Sequence, residues 1–540
     1  MILSLVLLVY AFLLSHLIGI NAYALMHKWF GIETYYKPQI GLSNLIGLAI
    51  MSPFIAAYHF FFKIDFTPHL FFLAWAMGNF SFAKNELKLL WKQVLELRFY
   101  FAILIIASLL SIIVRPGTGD IADYHLQAIK WAENFPNILG LGNFNRPLAN
   151  NNWWFNMQAF LGFSWFGIKS VYVGNALLFI CSILIFTSGI TVSRAHEFMR
   201  FVFAAFSFLS IKTAFVGSVT PDIVVTIFVF LVIDLYFQFA SNPNNQKSLL
   251  LVMMLLISWI LTVKATAIIL FVIPLPLVYQ IYLNRQNWSG LFKLVALVLV
   301  FLIPWFIGNI IACGYLLYPF NQIDLFHVDW KVPAAYFEFD KIVLKNWGKI
   351  PNQDIYLTQT FSLRQWMPIW FSKLDLFNKG LVLAYALSVP LMAFRCIRQR
   401  NFLWPFLFLQ LGFAIIFLNG PHPRFLFPYM VSTLALLLGS LEGFIKFKLP
   451  QLVLWGMAVL LSALLLFKVW AGGELLSSVW RPKAYPLVEA EPIDINGFKA
   501  FKTPHNNTCW DRFPCSYYFI DSVELRGKDI RSGFRVKISH

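Results

Sequence analysis

Apolar residues in this chain run in long, nearly unbroken blocks, with polar residues gathered in short segments between them. A helix crosses the hydrocarbon core of a bilayer with about 20 apolar residues. On that ruler the pattern predicts spans near 2–24, 40–62, 67–83, 99–114, 170–192, 201–217, 222–240, 248–263, 265–283, 291–311, 379–395, 402–419, 425–444 and 451–470. The predicted fold class is an all-α polytopic membrane protein with about 12–14 transmembrane helices. Apolar runs that meet at Thr220-Pro221-Asp222 and around Lys264 read as shallow hairpins or broken helices.

Three stretches interrupt the pattern. Residues 115–168 form a first large outer loop, 312–378 a long second one, and 471–540 a polar tail. The organisation is then 1–98 as N-terminal helices, 99–311 as a core, the 312–378 loop, 379–470 as C-terminal helices, and the tail. Alternating runs at 517–520 and 534–538 predict β-strands in a small appendage.

Composition agrees: 59% of residues are hydrophobic, 18% aromatic and only 12% charged, with 58 Phe and 19 Trp. Such a chain is no soluble globule. The net charge of +17 would point to nucleic acid in a soluble protein. Here the cations sit in short loops, so topology and anionic headgroups account for them; membrane lipids are the expected partner and nucleic acid is not. Lys28, Lys37, the run from Lys84 to Arg98, Arg194, Arg200, Lys247, Arg285, the run from Arg395 to Arg400, Lys446 and Lys448 all fall on one side when spans alternate. That side is predicted to be cytoplasmic, which puts the polar stretches on the outer face. The N-terminus lacks a basic n-region, which predicts an uncleaved first helix. Cys181, Cys313 and Cys396 lie in or beside apolar runs; Cys509 and Cys515 flank a short polar segment and suit a disulfide in an oxidising compartment.

The segment from Arg115 to Trp154 concentrates chemistry. Asp120 and Asp123 lie three apart, on one face of any helix beginning near Gly119. Asp120 suits a general base or a helix cap. With His125 the two carboxylates also suit a divalent metal, Mg or Mn. Asp222 is either a helix cap or a functional charge near membrane depth. Lys264 is the one charge in an apolar stretch and either snorkels or meets a phosphate. Arg424, in Pro421-His422-Pro423-Arg424-Phe425, is an interfacial anchor or a fork for phosphate or carboxylate. Trp153 and Trp154 belong to an aromatic belt or stack on a sugar. Walker, Rossmann, zinc-finger and nucleophile-elbow signatures are missing, so no nucleotide ligand is evident.

At these residues the chain resembles GT-C-type membrane glycosyltransferases, which take a sugar from a polyprenyl-linked carrier on the extracytoplasmic face. The resemblance rests on an acidic residue, Asp120, in the first outer loop directly after a membrane helix. The stretch from Asp120 to Gln127, the Gly140–Arg146 region with Asn150–Trp154, and Gly314 to Pro319 are similar to a bacterial family of multi-spanning membrane proteins. Pro423-Arg424-Phe425 and the Cys509-to-Cys515 segment fit the same picture. The resemblance implies a GT-C-like bundle in the bacterial inner membrane, working in envelope polysaccharide biosynthesis. It implies transfer of a sugar from a polyprenyl phosphate or diphosphate to an extracytoplasmic glycan, lipid or protein. Asp120 would act as base or metal ligand, with Asp123 and His125 beside it. Tyr124, Asn143, Arg146, Asn152, Asp222, Lys264 and Arg424 would bind substrate. Two departures stand out: Gly308 occupies a place before Asn309 where such proteins often carry arginine, and the second acidic residue is not adjacent to the first. A flippase for lipid-linked saccharides, or a polysaccharide polymerase or ligase, are the alternative readings.

Overall fold

A computed structural model of the chain describes residues 1–32, 37–78, 80–114, 119–167, 171–188, 193–212, 215–350, 354–441, 451–504, 508–516 and 522–537. Eight of the described helices are long and apolar enough to cross a membrane. They are Ile2–Phe30, Leu42–His59, Asp222–Ser241, Pro243–Val263, Trp288–Cys313, Leu376–Arg398, Arg400–Asn419 and Leu452–Ala471. Two bent pairs, Phe82–Glu96 with Arg98–Ile113 and Ala265–Val272 with Leu275–Leu283, raise the number to 10 if each is one span. The chain is a multi-pass membrane protein.

That number lies below the 12–14 of the hydropathy reading, for local reasons. The expected span at 67–83 yields only the 11-residue helix Thr67–Met77, about 16 Å of rise. It is followed by Phe80–Glu96, which carries Lys84, Lys88 and Lys92 and bends 88° into the next helix. The stretch 265–283 splits into a 3₁₀ helix, Ala265–Val272, and a second piece tilted by 50°. Gly174–Ser188 is a 15-residue helix. Arg200, expected in a loop, lies inside the Arg194–Lys212 helix and is buried.

Asp222–Ser241 and Pro243–Val263 form the interior of the bundle, with 78% and 89% of their apolar windows buried. Trp288–Cys313, Leu376–Arg398, Arg400–Asn419 and Leu452–Ala471 lie outside, at 28–33%. Their outward faces present Phe292, Leu387, Ile397, Leu452 and Phe467. In water that apolar surface would be prohibitive; in a bilayer it is the wall that meets lipid. The first two helices touch backbone to backbone: a Cβ on Gly19 would sit 1.8 Å from the Ser43 carbonyl oxygen, and one on Gly47 1.9 Å from that of Ser15. Small residues permit this approach where hydrophobic association gives no drive.

The segment 312–378, expected as a loop, contains the helices Ala334–Trp347, Ile355–Thr360 and Leu363–Lys373. Hydropathy missed them because they are short and mixed; their starts are marked by Pro333, by Asp354 accepting from the Tyr356 and Leu357 amides, and by Ser362 with Gln365. The tail folds as expected into small sheets. Glu491–Ile495 pairs antiparallel with Phe498–Lys502, which pairs in parallel with Cys515–Ser516; Val523–Leu525 pairs with Phe534–Val536. The strand expected at 517–520 and the cations at 446 and 448 lie outside the described residues.

Candidate functional site

Four chain segments end at one place. Beyond the helix Arg98–Ile113 in the sequence, Asp120 precedes a π-helical turn, Ile121–His125, that runs on into Leu126–Asn134. Asp222 opens its helix directly after Pro221, where the positive end of the helix dipole favours a carboxylate. Lys264 stands at a break: Gln246–Val263 stops, Lys264 is extended at φ −150° and ψ 117°, and the 3₁₀ helix follows. Arg424 lies in the first turn of Pro423–Ser440, whose start is capped by His422.

The four side chains form one ionic chain. Arg424 Nη2 lies 2.6 Å from Asp120 Oδ2 and its Nε 3.4 Å from Asp222 Oδ2; Lys264 Nζ lies 2.7 Å from Asp222 Oδ1. Phe425 packs beneath both cations, its ring centroid 3.9 Å from Lys264 Nζ and 4.8 Å from the Arg424 guanidinium carbon. Trp347 closes one side, stacked on His422 at 5.1 Å. Two carboxylates neutralise two cations, so the cluster is stable unoccupied. It is not sealed, however: Asp120 is 34% exposed, Lys264 26% and Arg424 22%. An anion entering from that side would compete with the carboxylates for a fork and an ammonium.

Asp123 is a different carboxylate. Among the described residues it has no ion pair and no hydrogen bond, although it follows Asp120 by one helical turn. Burial pushes it up to about 7, and the charge of Asp120 adds to the effect. His125 is buried against Tyr124 and Phe155, and burial lowers its imidazole to about 4. It is therefore neutral at physiological pH. Burial, with Arg424 adding, lowers His422 to about 4 as well.

A second cluster adjoins the first. Tyr318 donates its hydroxyl to Asp340 Oδ2 at 2.5 Å, and Arg146 Nε lies 3.6 Å from Asp340 Oδ1 and over the Phe339 ring at 4.8 Å. Tyr124 acts electrostatically on both Tyr318 and Arg424. Burial raises Asp340 above the usual carboxylate range.

Other expected residues are engaged elsewhere. Asn143 is buried and donates to the Trp330 carbonyl at 2.8 Å; Asn152 caps the helix Trp153–Gly162 through the Trp154 amide at 2.9 Å. Trp153 and Trp154 are buried core, and Trp154 Nε1 donates to Asn175 Oδ1 at 2.8 Å, so neither the belt nor the stacking expectation fits them. No three His, Cys, Asp or Glu side chains among the described residues group as a metal ion requires. Of the residues expected to hold Mg or Mn, Asp120 faces Arg424 and His125 is buried against Tyr124 and Phe155. Gly308 lets Asn151 approach: a Cβ there would sit 2.1 Å from Asn151 Nδ2, so a larger residue would displace the Asn151 side chain from the Trp305 carbonyl it donates to. Sequence reasoning did not nominate His422, Trp347, Asp340 or Tyr318. His422 was readable from its place in the Pro421-to-Phe425 motif, whereas Trp347 and Asp340 lie on a helix that read as loop.

The tail grips the acidic turn. The Trp510 amide donates to the Ala122 carbonyl at 2.9 Å, between Asp120 and Asp123. Lys130 meets Asp511 at 2.5 Å, Gln127 Nε2 donates to the Arg512 carbonyl at 2.7 Å, and Gln127 Oε1 accepts from the Cys515 amide at 3.1 Å. The Cys509–Cys515 disulfide closes this loop.

Residues 1–431 match the model of a family described as a domain of unknown function, DUF8201, and the chain belongs to that family. No curated protein and no solved structure matches the chain. All four residues of the ionic chain lie within the matched region, and the gripping tail lies beyond it.

Proposed function

We propose that this member of the DUF8201 family is a glycosyltransferase that moves a sugar from a polyprenyl phosphate or diphosphate to an extracytoplasmic acceptor hydroxyl. The observation that carries the reading is the convergence of Asp120, Asp222, Lys264 and Arg424 from four separate chain segments. A lipid-linked sugar brings its own leaving group, so no nucleotide fold is needed. The leaving phosphate needs cations at the depth of a lipid headgroup, which Lys264 and Arg424 supply. The acceptor needs a base, and the acidic turn beginning at Asp120 supplies carboxylates.

Orientation follows from the opposite helix ends. Lys28, Arg98, Arg194, Lys247, Arg285, Arg395 and Arg398 lie at the ends away from the cluster, a distribution that supports an extracytoplasmic site by the charge rule. A disulfide in the tail is in keeping with that compartment. The site belongs, on this reading, to the bacterial inner membrane and to envelope glycan synthesis.

The test uses purified protein in nanodiscs with polyprenyl monophosphate- and diphosphate-linked sugars from a membrane lipid extract. Release of free carrier phosphate by the parent, and its loss in Arg424→Gln, is the expected result. Movement of the lipid-linked sugar between leaflets without release would replace the transferase by a flippase.

A further inference from the structure

The acidic turn contains two carboxylates in unlike states, and on the proposed transferase reading they have separate work. We infer that Asp123 is the general base that accepts the proton of the acceptor hydroxyl, while Asp120 and Asp222 hold the cations in place.

Asp120 Oδ2 lies 2.6 Å from Arg424 Nη2, and Asp222 uses one oxygen on Lys264 and the other on Arg424. A carboxylate paired with a cation is held in its charged form and is the weaker base for it. Asp123 has no such partner among the described residues, and it is half-buried one turn from the same cluster. A base works best when it titrates near the operating pH, and burial next to Asp120 holds this carboxyl at about 7. Asp120 is the charged group that acts on it directly; Tyr124 and His125 share its turn, and through His125 and Tyr124 that turn feels Asp222, Lys264, Arg424 and Tyr318. Its backbone is fixed from the other side, because the carbonyl of the preceding residue, Ala122, accepts from the Trp510 amide.

In the step, an Asp123 oxygen takes the hydroxyl proton as the acceptor oxygen bonds to the anomeric carbon. The bond from that carbon to the carrier's phosphate oxygen breaks, and its electron pair leaves on the phosphate. Lys264 and Arg424 meet the added charge. The products are the glycosylated acceptor, the free carrier phosphate and a protonated Asp123, which returns its proton to water.

The test compares parent, Asp123→Asn, Asp123→Glu and Asp120→Asn in nanodiscs with the same lipid-linked sugars, measuring carrier-phosphate release between about pH 5 and 9 and carrier binding. Asp123→Asn is expected to lose about 10²-fold or more in kcat with KM for the carrier unchanged. The parent rate is expected to rise with pH through about 7; that limb should vanish in Asp123→Asn and return in part in Asp123→Glu. Asp120→Asn is expected to raise KM. An Asp123→Asn protein that keeps the parent's kcat and pH limb overturns the assignment and leaves the transferase standing. A parent that binds carrier and releases nothing overturns the transferase itself, and the base falls with it.

Discussion

Asp222 and Asp234 stand on the same helix, about 18 Å apart along its axis, and each carboxylate holds an arginine. At Asp234 the arrangement is sealed. His196 Nε2 and Arg200 Nε lie 2.7 and 2.5 Å from Oδ1, while Arg200 Nη2 and Gln238 Nε2 reach Oδ2 at 3.0 and 2.8 Å, and all four residues are buried. Its partners come from the adjoining helix and from its own. At Asp222 the partners come from two distant chain segments, leave the cations partly exposed, and share one arginine with a third segment through Asp120. Identical chemistry thus serves two ends. A fully enclosed, multiply bonded carboxylate ties helices together inside the membrane, whereas a looser one at helix ends leaves its cations able to exchange partners.

This contrast breaks most visibly if the sealed network is cut. Arg200→Ala strands the Asp234 charge in the bundle, and a loss of about 3–5 kcal/mol is expected, read as a fall in the thermal unfolding midpoint in detergent. Replacing both Cys509 and Cys515 by serine should cost about 2–3 kcal/mol in the tail, and limited proteolysis should then cut near Trp510 while the membrane helices persist. A pH series sharpens the picture. The carboxyl of Asp123 titrates at about 7 when folded and at about 4 when unfolded. The folded state therefore keeps a proton that the unfolded state has lost across that window, and stability falls as pH rises from about 4 to about 7. After allowance for solvent screening the effect is about 1–2 kcal/mol, and Asp123→Asn should abolish that slope in midpoint against pH. The smallest change is expected for Asp120→Asn, under about 1 kcal/mol by the same unfolding measurement, because that carboxylate is a third exposed.

The sequence carried much of this at the level of single residues. Asp120, Asp222, Lys264 and Arg424 were visible because a charge next to a long apolar run is conspicuous, and Asp222 and Lys264 mark helix breaks that hydropathy already showed. What hydropathy could not supply was which breaks meet, since the four positions lie as far apart as 120 and 424. Nor could it say where a run bends, because an apolar run of 17 to 20 residues reads the same whether it forms one helix or breaks partway, as 265–283 does. Helices in 312–378 were lost for the opposite reason: Ala334–Trp347 mixes Lys, Asp and Glu with its aromatics and so lacks an apolar run. Asn143 and Asn152 have structural partners that the sequence did not announce. An amide in a polar loop looks like a ligand-binding group, but here one anchors the Trp330 backbone and the other caps a helix. The network at Asp234 went unnoticed because Arg200 was counted as a topological charge.

The most direct test of the open site is whether it holds a lipid-linked phosphate. Binding of polyprenyl phosphate to nanodisc-embedded protein can be compared between the parent and Arg424→Gln, with unfolding midpoints matched to exclude misfolding. Saturable binding by the parent, weakened at least about tenfold in the variant as expected for a lost charge-assisted fork, is the predicted result. Equal affinity in both would remove the carrier phosphate from this cluster and contradict the account.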